Sequence, residues 1–336
     1  MEMKKWNKYT IRKVLINVLP LLALLALFAT YMILLTVKDY NIKMSLTTIV
    51  NQSIVLVFVA TGATFIFTLG QFDISLGANT LFSAVIGVLA YKASGSIAVL
   101  FITCIAVAVA CSVLNAIIAS IFHLPMFVTT VAMLSVLTAV STFLIQSQGE
   151  ATGASYSIRI SDSLLAQLKA LDNLPFKLVF LAVFIVLMVF LFNFTKLGRK
   201  QKYLGGNERC AKLTGLSISL LGISAFALAG LGVGIGASMT VIYGHNVSTA
   251  TAGSIGMSVF IAIVFGGMPI SGGPRSRIYS ALIGGLSYNL LTSILFILIS
   301  DMGGARDGIV QVISAVFFLV IVFVASINYR TKHLPR

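Results

Sequence analysis

The sequence predicts an all-α polytopic membrane protein with about ten transmembrane helices, two of them short or broken, and both termini in the cytoplasm. Three observations support this prediction. Apolar residues make up 58% of the 336 residues and charged residues only 10%, with a mean hydropathy of +1.04. A soluble domain usually has about a quarter of its residues charged. The apolar residues form long uncharged stretches, and the basic residues are confined to short runs between them.

The apolar stretches define the predicted spans. A run of about 20 apolar residues crosses the hydrocarbon core as a helix. The runs that meet this criterion are Val14–Val37, Met44–Phe72, Ala93–Phe122, Leu124–Gly149, Leu178–Thr195, Leu213–Tyr243, Ile278–Ser300 and Gly308–Tyr329. Two shorter pieces, Ala78–Tyr91 and Ser254–Gly267, are expected to be partial or broken spans. Val14–Val37 is too long for the apolar part of a signal peptide, so we expect it to be retained.

The basic residues test this count. They lie in three runs, within residues 4–13, 196–212 and 330–336. Ten spans put all three runs in the cytoplasm, in agreement with the positive-inside rule, whereas removing either short piece would move at least one run outside. The expected organisation is a basic cytoplasmic N-terminus (1–13), a single transmembrane domain (14–329) with a cytoplasmic loop (196–216) and an outward loop (150–175), and a cytoplasmic tail (330–336).

Several classes of function are excluded at this level. The net charge of +14 follows from topology, and no basic groove interleaved with aromatic residues favours nucleic acid as a partner. The three cysteines and three histidines lack the spacing of a disulfide framework or a metal site, and no nucleophile–base arrangement occurs. We therefore expect no catalytic residue, no metal and no cofactor. The chain also lacks the glycine-rich lysine loop that binds nucleotide phosphates.

Two glycine-containing segments resemble each other. Gly70–Gly77 and Gly266–Gly273 share Gly, Ile, Ser and Gly in register, and each lies between two predicted spans. With one residue inserted, Ala84, Gly87 and Tyr91 match Ala281, Gly284 and Tyr288. Chance similarity between apolar, glycine-rich segments and a true internal repeat both account for this match. A true repeat would make both segments broken-helix corners, as transporters use to line a pathway.

The longest basic loop, Thr195–Gly215, has a pattern of its own. Gly205 and Gly206 interrupt the chain, Asn207 can cap a helix, and Glu208 lies four residues before Lys212. This pattern is typical of a short amphipathic helix on the membrane surface, which could dock a cytoplasmic partner. The alternative is a solvated loop that is basic only because it faces the cytoplasm.

This loop resembles the coupling loop of the ribose-type ABC sugar permeases, whose pattern is Thr-x-Phe-Gly-Arg, five residues, Gly-Gly-Asn, then Ala and a Ser/Thr-Gly. The matching positions here are Thr195, Gly198, Arg199, Gly205, Gly206, Asn207, Ala211, Thr214 and Gly215, with Leu197 in place of the Phe. Three further segments resemble the same family in the same order: Gly70–Gly77, Asn115 with Pro125–Thr129, and Gly266–Gly273. Thr138-Ala139 and Pro274–Arg277 depart from the family pattern.

The resemblance implies the permease subunit of an importer in the bacterial cytoplasmic membrane, which translocates a sugar-like solute. Its implied partners are an ABC ATPase subunit, an extracytoplasmic solute-binding protein, a second permease subunit (identical or different) and membrane lipid. The implied coupling residues are Gly198, Arg199, Gly205, Gly206, Asn207, Glu208, Ala211 and Gly215. A related permease for nucleosides or branched-chain amino acids stays an alternative, as does a carrier or channel that works without ATP.

The candidate pathway and gating residues lie at the two corners and in the helices beside them. They are Asp73, Ser75, Gly77, Asn79, Asn115, Gly266, Gly267, Gly272 and Gly273. Asp73 is the only acid between Lys43 and Glu150, and either stabilises a helix start or takes part in gating. The amides of Asn51, Asn79 and Asn115 either join helices or bind solute hydroxyls.

Overall fold

The computed structural model describes residues 8–152, 155–251, 255–300, 308–310, 312–317, 319–320 and 323. Its elements are α1 (Lys8–Val37), α2 (Ile42–Thr68), α3 (Leu76–Ser94), α4 (Ile97–Ile121), α5 (Met126–Gln148), β1 (Glu150–Thr152), β2 (Ser155–Arg159), α6 (Asp162–Leu171), α7 (Leu174–Phe194), α8 (Lys196–Gly206), α9 (Glu208–Leu213), α10 (Ile218–Gly244), β3 (Asn246–Ser248), α11 (Ile255–Phe265) and α12 (Tyr279–Leu298). A further apolar helix lies within Gly308–Phe317.

Eight of the described helices are long and apolar enough to cross a membrane: α1 to α5, α7, α10 and α12. The predicted polytopic helical class is thereby confirmed. Helix α11, with 11 residues, is short as expected. The prediction of a short piece at Ala78–Tyr91 was wrong, because α3 continues for 19 residues and is a full-length candidate span. Its last turn carries Lys92, which a search for uncharged runs leaves out.

Parts of the predicted organisation lie outside the described residues. These parts are residues 1–7, the end of the predicted tenth span Gly308–Tyr329 and the predicted tail 330–336. Helix α1 begins at Lys8, within the segment predicted as a basic N-terminus. The count of ten spans and the orientation of the termini stay predictions.

The centre of the bundle is α2, packed against α10, which in turn packs against α4. In the most apolar part of α2, 83% of the residues are buried, whereas the corresponding share in α7 is 17%. Helix α2 is therefore shielded from lipid on nearly all sides. Glycines let α10 approach its neighbours closely: a Cβ on Gly232 would lie 2.5 Å from the Phe58 carbonyl oxygen of α2, and one on Gly230 would lie 2.7 Å from Cα of Val109 in α4. Small residues allow such close helix contact in a bilayer.

A small three-stranded antiparallel sheet lies at one end of the bundle, which we call the sheet end. Strand β2 pairs with β1 and with β3, which joins the segment after α5 to the segment after α10. Helix α6 is fixed nearby, since the hydroxyl of Tyr91 donates a hydrogen bond to the Leu164 carbonyl at 2.9 Å. The all-α prediction missed this sheet, because strands of three to five residues carry little hydrophobic alternation.

The opposite end, which we call the basic end, carries α8 and α9 and the two glycine corners. Helices α2 and α11 end there with the same hydrogen-bond pattern. The N–H of Gly70 bonds to the Phe67 carbonyl at 3.0 Å, and that of Gly267 bonds to the Val264 carbonyl at 3.0 Å. Both glycines have positive φ, 71° and 86°, as helix C-termini of this kind require. The structural register pairs Gly70 with Gly267, one residue later than the sequence match at Gly266.

Candidate functional site

The predicted coupling segment forms two consecutive helices at the basic end, α8 and α9. Thr195 caps α8, since its hydroxyl accepts a hydrogen bond from the N–H of Gly198 at 3.3 Å. Gly198 is required by packing, because a Cβ there would overlap with the carbonyl oxygen of Phe192. The extended backbone of Thr195 separates α8 from α7. Arg199 is exposed.

The break between α8 and α9 has the predicted helix cap and the predicted ion pair. The Asn207 side chain accepts a hydrogen bond from the N–H of Cys210 at 3.1 Å and caps α9. Glu208 and Lys212 form the expected ion pair at 3.1 Å, with both side chains about 60% exposed (61% and 62%). An exposed pair of this kind contributes about 0.5 kcal/mol or less, so its role concerns surface charge more than stability.

Buried side chains attach these helices to the bundle. Gln201 is fully buried, and its Nε2 donates a hydrogen bond to the Ser224 hydroxyl of α10 at 3.0 Å. Leu204 and Ala211 pack with Leu221 in a small apolar cluster. Lys202 donates a hydrogen bond to Asn193 Oδ1 at 2.8 Å, and partial burial lowers the pKa of its ammonium group. The sequence analysis did not select Gln201, because a single buried amide in a basic loop has no local signal.

Three distant segments meet at the last carbonyl group of α2. The Thr68 carbonyl accepts a hydrogen bond from the N–H of Gly273 at 2.8 Å. A Cβ on Gly205 would overlap with the same carbonyl oxygen, and one on Gly272 would lie 2.5 Å from it. We call this contact the glycine junction; its members are Thr68, Gly70, Gly205, Gly206, Gly272 and Gly273.

The glycine junction ties the coupling segment to both corners at once. Gly70 lies against Ser271, where a Cβ would be 3.2 Å from the carbonyl oxygen, and a Cβ on Gly273 would lie 3.1 Å from the Gly205 carbonyl oxygen. Each contact is backbone against backbone, which cannot yield as a flexible side chain can. A displacement of α8 would therefore reach the end of α2 and the α11–α12 corner directly.

A second group of polar residues runs from the first corner into α3 and α4. The Asp73 Oδ1 atom accepts hydrogen bonds from the N–H and hydroxyl of Ser75, at 2.7 and 2.6 Å. Ser75 in turn accepts one from Asn115 Nδ2 at 2.9 Å. One turn further into α3, Asn79 Nδ2 donates to the Ser112 hydroxyl at 3.0 Å. We call this series, Asp73, Ser75, Asn79, Ser112 and Asn115, the polar ladder.

The ladder is buried and incompletely paired. Asp73 is 5% exposed and Asn115 1% exposed. Asp73 Oδ2 and Asn115 Oδ1 receive no hydrogen bond from the described residues. Burial raises the pKa of Asp73 to about 6, against the lowering effect of the two Ser75 hydrogen bonds. The hydrogen bonds from Ser75 to Asp73 fix the turn before α3, which agrees with the predicted role of Asp73 at a helix start. A role of Asp73 in gating stays a prediction.

A profile for branched-chain amino acid transport system permease components matches residues 45–326, which is most of the chain. The chain belongs to this permease family. The match begins near the start of α2 and includes the coupling segment, both glycine corners and the polar ladder.

Individual relatives of the permease are permease proteins for the import of ribose, autoinducer 2 and fructose. It is 31% identical over 110 residues to the ribose import permease protein RbsC of Bacillus subtilis (strain 168), an alignment that covers 33% of this chain and 34% of that relative. It is 26% identical over 285 residues to the autoinducer 2 import system permease protein LsrC of Yersinia enterocolitica, covering 83% and 75%. It is 24% identical over 271 residues to the fructose import permease protein FrcC of Rhizobium meliloti, covering 80% and 74%. The predicted resemblance to ribose-type permeases is confirmed.

The remaining predicted site residues of the permease are dispersed. Gly266 lies against the start of α12, where a Cβ would overlap with the Ser280 carbonyl oxygen, and Gly267 lies beside Pro20 of α1. Gly77 is in the first turn of α3, beside Gly256 of α11. Gly215 has a φ of 77° after α9, and no atom would meet a Cβ there within 4 Å. These glycines serve helix packing and turns and do not converge on one cavity.

Sequence reasoning missed a charged cluster at the sheet end of the permease. Lys177, in the first turn of α7, is 3% exposed and lies 2.5 Å from Asp172 Oδ1. Its ammonium group also donates a hydrogen bond to Asn51 Oδ1 of α2 at 2.5 Å, and it lies 4.3 Å from the ring centroid of Tyr243 in α10. The predicted span began at Leu178, so Lys177 was left in the preceding loop.

Proposed function

We propose that the chain is the membrane-spanning subunit of an ABC importer, which receives a sugar-like solute from an extracytoplasmic binding protein and is driven by a separate ATPase subunit. Membership of the permease family supports the transport role, and the ribose, autoinducer 2 and fructose import permeases support a small, hydroxyl-bearing solute. The absence of a nucleotide-binding loop from the sequence favours an external source of energy.

The glycine junction is the observation that carries this proposal. A surface helix needs a stiff connection to the bundle if a force applied to it is to move transmembrane helices. Helix α8 has such a connection, because Gly205 touches the Thr68 carbonyl and Gly206 lies beside Pro274. Basic topology alone would not require three distant segments to meet in backbone contact. In this proposal, Gly198, Arg199, Asn207, Glu208, Ala211 and Gly215 complete the segment that the ATPase subunit moves.

The proposal includes a topology and an assembly. Ten spans put both termini and the basic end in the cytoplasm of a bacterium, and the sheet end then faces the binding protein. Two permease subunits, identical or different, form the core in the inner membrane. The basic residues of the coupling segment lie at the depth where positive-inside residues meet anionic lipid and cytoplasmic partners.

The solute path in this proposal follows the polar ladder. Asp73, Ser75, Asn79 and Asn115 are buried polar groups between two spans, and two of their oxygens have no donor among the described residues. Buried polar groups in a membrane bundle commonly mark a pathway. Gly266, Gly267, Gly272 and Gly273 serve the second corner as packing and hinge positions that allow the path to open.

A pair of glycine substitutions tests the proposal. Gly205→Ala forces a Cβ against the Thr68 carbonyl, whereas Gly222→Ala adds a Cβ in α10 where no atom lies within 4 Å. We expect the ATPase activity that co-purifies with tagged Gly205→Ala permease, expressed in its own host, to be about tenfold lower than with the wild type, or lower still. The reason is that the misplaced Cβ should cost about 1–3 kcal/mol of contact free energy. Gly222→Ala should retain the wild-type amount. Full retention by Gly205→Ala would contradict the coupling assignment.

The same preparation separates this function from its alternatives. Vesicles that contain the complex should accumulate one of ribose, fructose or leucine. Accumulation should require ATP on the side of the membrane that carries the ATPase subunit. The family description favours including leucine, since it names branched-chain amino acid transport. Vesicles with the permease chain alone should accumulate none of them on an ion gradient. Accumulation by the chain alone, without nucleotide hydrolysis, would establish a secondary carrier instead.

A further inference from the structure

The basic end carries an open groove beside the coupling segment. It has a volume of about 620 Å³, and its lining includes Tyr203 of α8, Cys210 and Ala211 of α9, and Leu216 of the following turn. The facing wall is Pro274, which belongs to the corner between α11 and α12. We call this space the Pro274 groove. It is assembled from two segments that are far apart in the chain.

The two walls of the groove are held at a fixed distance. Gly206, at the end of α8, approaches Pro274 so closely that a Cβ would lie 3.0 Å from the proline Cδ. The neighbouring N–H of Gly273 bonds to the Thr68 carbonyl at 2.8 Å. The groove is therefore formed before any partner arrives, and binding into it costs little ordering of the chain.

The chemistry of the groove favours one kind of occupant. Its lining is mainly apolar, and Tyr203 is 69% exposed within an otherwise basic surface. Lys200 is part of the lining, and the exposed Arg275 follows Pro274 directly. Glu208 is already paired with Lys212. Charge complementarity then requires a partner that inserts an apolar side chain and surrounds it with carboxylates.

We propose that the docking surface for the ATPase subunit is the composite Pro274 groove, so that the α11–α12 corner contacts the partner together with the coupling segment. The matching surface of the ATPase subunit is an apolar side chain flanked by acidic residues. This inference rests on the proposed function and deepens it. Because Pro274–Arg277 departs from the ribose-type pattern, the groove gives this permease a means of selecting its own ATPase subunit.

The single exposed thiol in the groove permits a direct test. Cys210 is the exposed cysteine of the described residues, whereas Cys104 is buried and Cys111 is half-buried within α4. A benzophenone maleimide attached at Cys210, in inside-out vesicles from cells that make the whole transporter, should cross-link on illumination to a chain with a nucleotide-binding loop. Maleimide without the cross-linker should label Cys210 about tenfold more slowly when the ATPase subunit is bound than after it has been removed, because a side chain at the centre of an interface is shielded from solvent. Cys210→Ser provides the background.

Two charge reversals distinguish the groove from the coupling segment alone. Arg275→Glu should weaken retention of the ATPase subunit about tenfold, since it places a like charge against an acidic partner. Arg159→Glu reverses an exposed charge at the sheet end and should leave retention unchanged. Elution from a sizing column checks that both variants fold.

Each contrary result overturns a defined part of the argument. If wild-type permease retains its ATPase subunit and Arg275→Glu retains it equally, the composite groove is wrong and the proposed function stands, whether or not Cys210 is protected. An unprotected Cys210 overturns the groove as well. Cross-linking of Cys210 only to lipid would likewise overturn the groove, since its occupant would then be the membrane surface. If wild-type permease retains no ATPase subunit under any condition, the proposed function itself fails.

Discussion

Asp73 is held by hydrogen bonds but is poorly hydrated. Ser75 supplies two donors to Oδ1, whereas Oδ2 has none among the described residues. Burial opposes ionisation more strongly than these bonds favour it, so the pKa of Asp73 is raised to about 6. The folded chain therefore binds this proton more tightly than the unfolded chain, where an aspartate titrates at about 3.9.

The sign of the resulting pH dependence is fixed by this shift. Because the raised pKa favours the protonated folded form, the free energy of unfolding should fall as the pH rises from about 4 to about 6, by about 3 kcal/mol from this group. We expect Asp73→Asn to remove this fall, since an amide does not titrate. Helix melting followed by circular dichroism in detergent, from about pH 4 to about pH 6.5, a range that includes both pKa values, measures the difference.

A matched variant shows whether the effect belongs to the carboxylate. Asp162→Asn changes an exposed acid in the first turn of α6 and should leave the pH dependence as in the wild type. If Asp73→Asn and wild-type protein lose stability in parallel over this range, Asp73 does not titrate as described. Sequence reasoning selected Asp73, Ser75, Asn79 and Asn115 as pathway candidates. It could not predict how they pair, because the Ser75–Asn115 bond joins residues 40 apart.

At the level of elements, local signals predicted α8 and α9 well. The caps Thr195 and Asn207 and the Glu208–Lys212 spacing act within four residues, and all three form as expected. The glycine junction was not predictable in this way, because its contacts depend on how α2, α8 and the α11–α12 corner are arranged in space. The same limit explains the missed sheet, because β2 and β3 pair although they are far apart in the sequence, with Arg159 opposite Asn246.

Lys177, in the first turn of α7, forms an ion pair with Asp172 and also contacts Asn51 of α2 and Tyr243 of α10. Lys177 is 3% exposed, whereas Asp172 is 27% exposed. Loss of the partner should therefore cost more free energy for Lys177, which water cannot reach, than for Asp172. Asp172→Asn leaves a buried ammonium with only Asn51 and the Tyr243 ring as neighbours. We expect it to lower the free energy of unfolding by about 3–5 kcal/mol.

The reverse substitution should be milder. Lys177→Met fills the space with an apolar chain and leaves Asp172 partly hydrated, so we expect a cost of about 1–2 kcal/mol. The double variant should resemble Lys177→Met alone, because no unpaired buried cation remains. Thermal melts of the three variants measure these values. Strictly additive costs would mean that Asp172 and Lys177 act independently.

At the level of the whole molecule, the two ends of the bundle differ in kind. The sheet end is built from β1–β3, α6 and the Lys177 cluster, which together order the segments between spans. The basic end has exposed cations, an open groove and the glycine junction. The distribution of charge predicted this polarity, because basic residues are enriched in the loops on one side of a membrane protein. The architecture of each end depends on long-range packing and could not be read from the chain.

This polarity leads to a prediction about orientation. If the basic end is cytoplasmic, a membrane-impermeant maleimide should label Cys210 in inside-out vesicles and not in intact spheroplasts. In a Cys210→Ser background, Tyr156→Cys on the exposed face of β2 should show the opposite pattern, since β2 lies at the sheet end. Cys104 is buried and Cys111 is half-buried within the candidate span α4, so a membrane-impermeant reagent should label neither. The long apolar helix between the two positions is α7. Labelling of both positions from the same side would therefore exclude a crossing by α7, and with it the ten-span arrangement on which the coupling proposal depends.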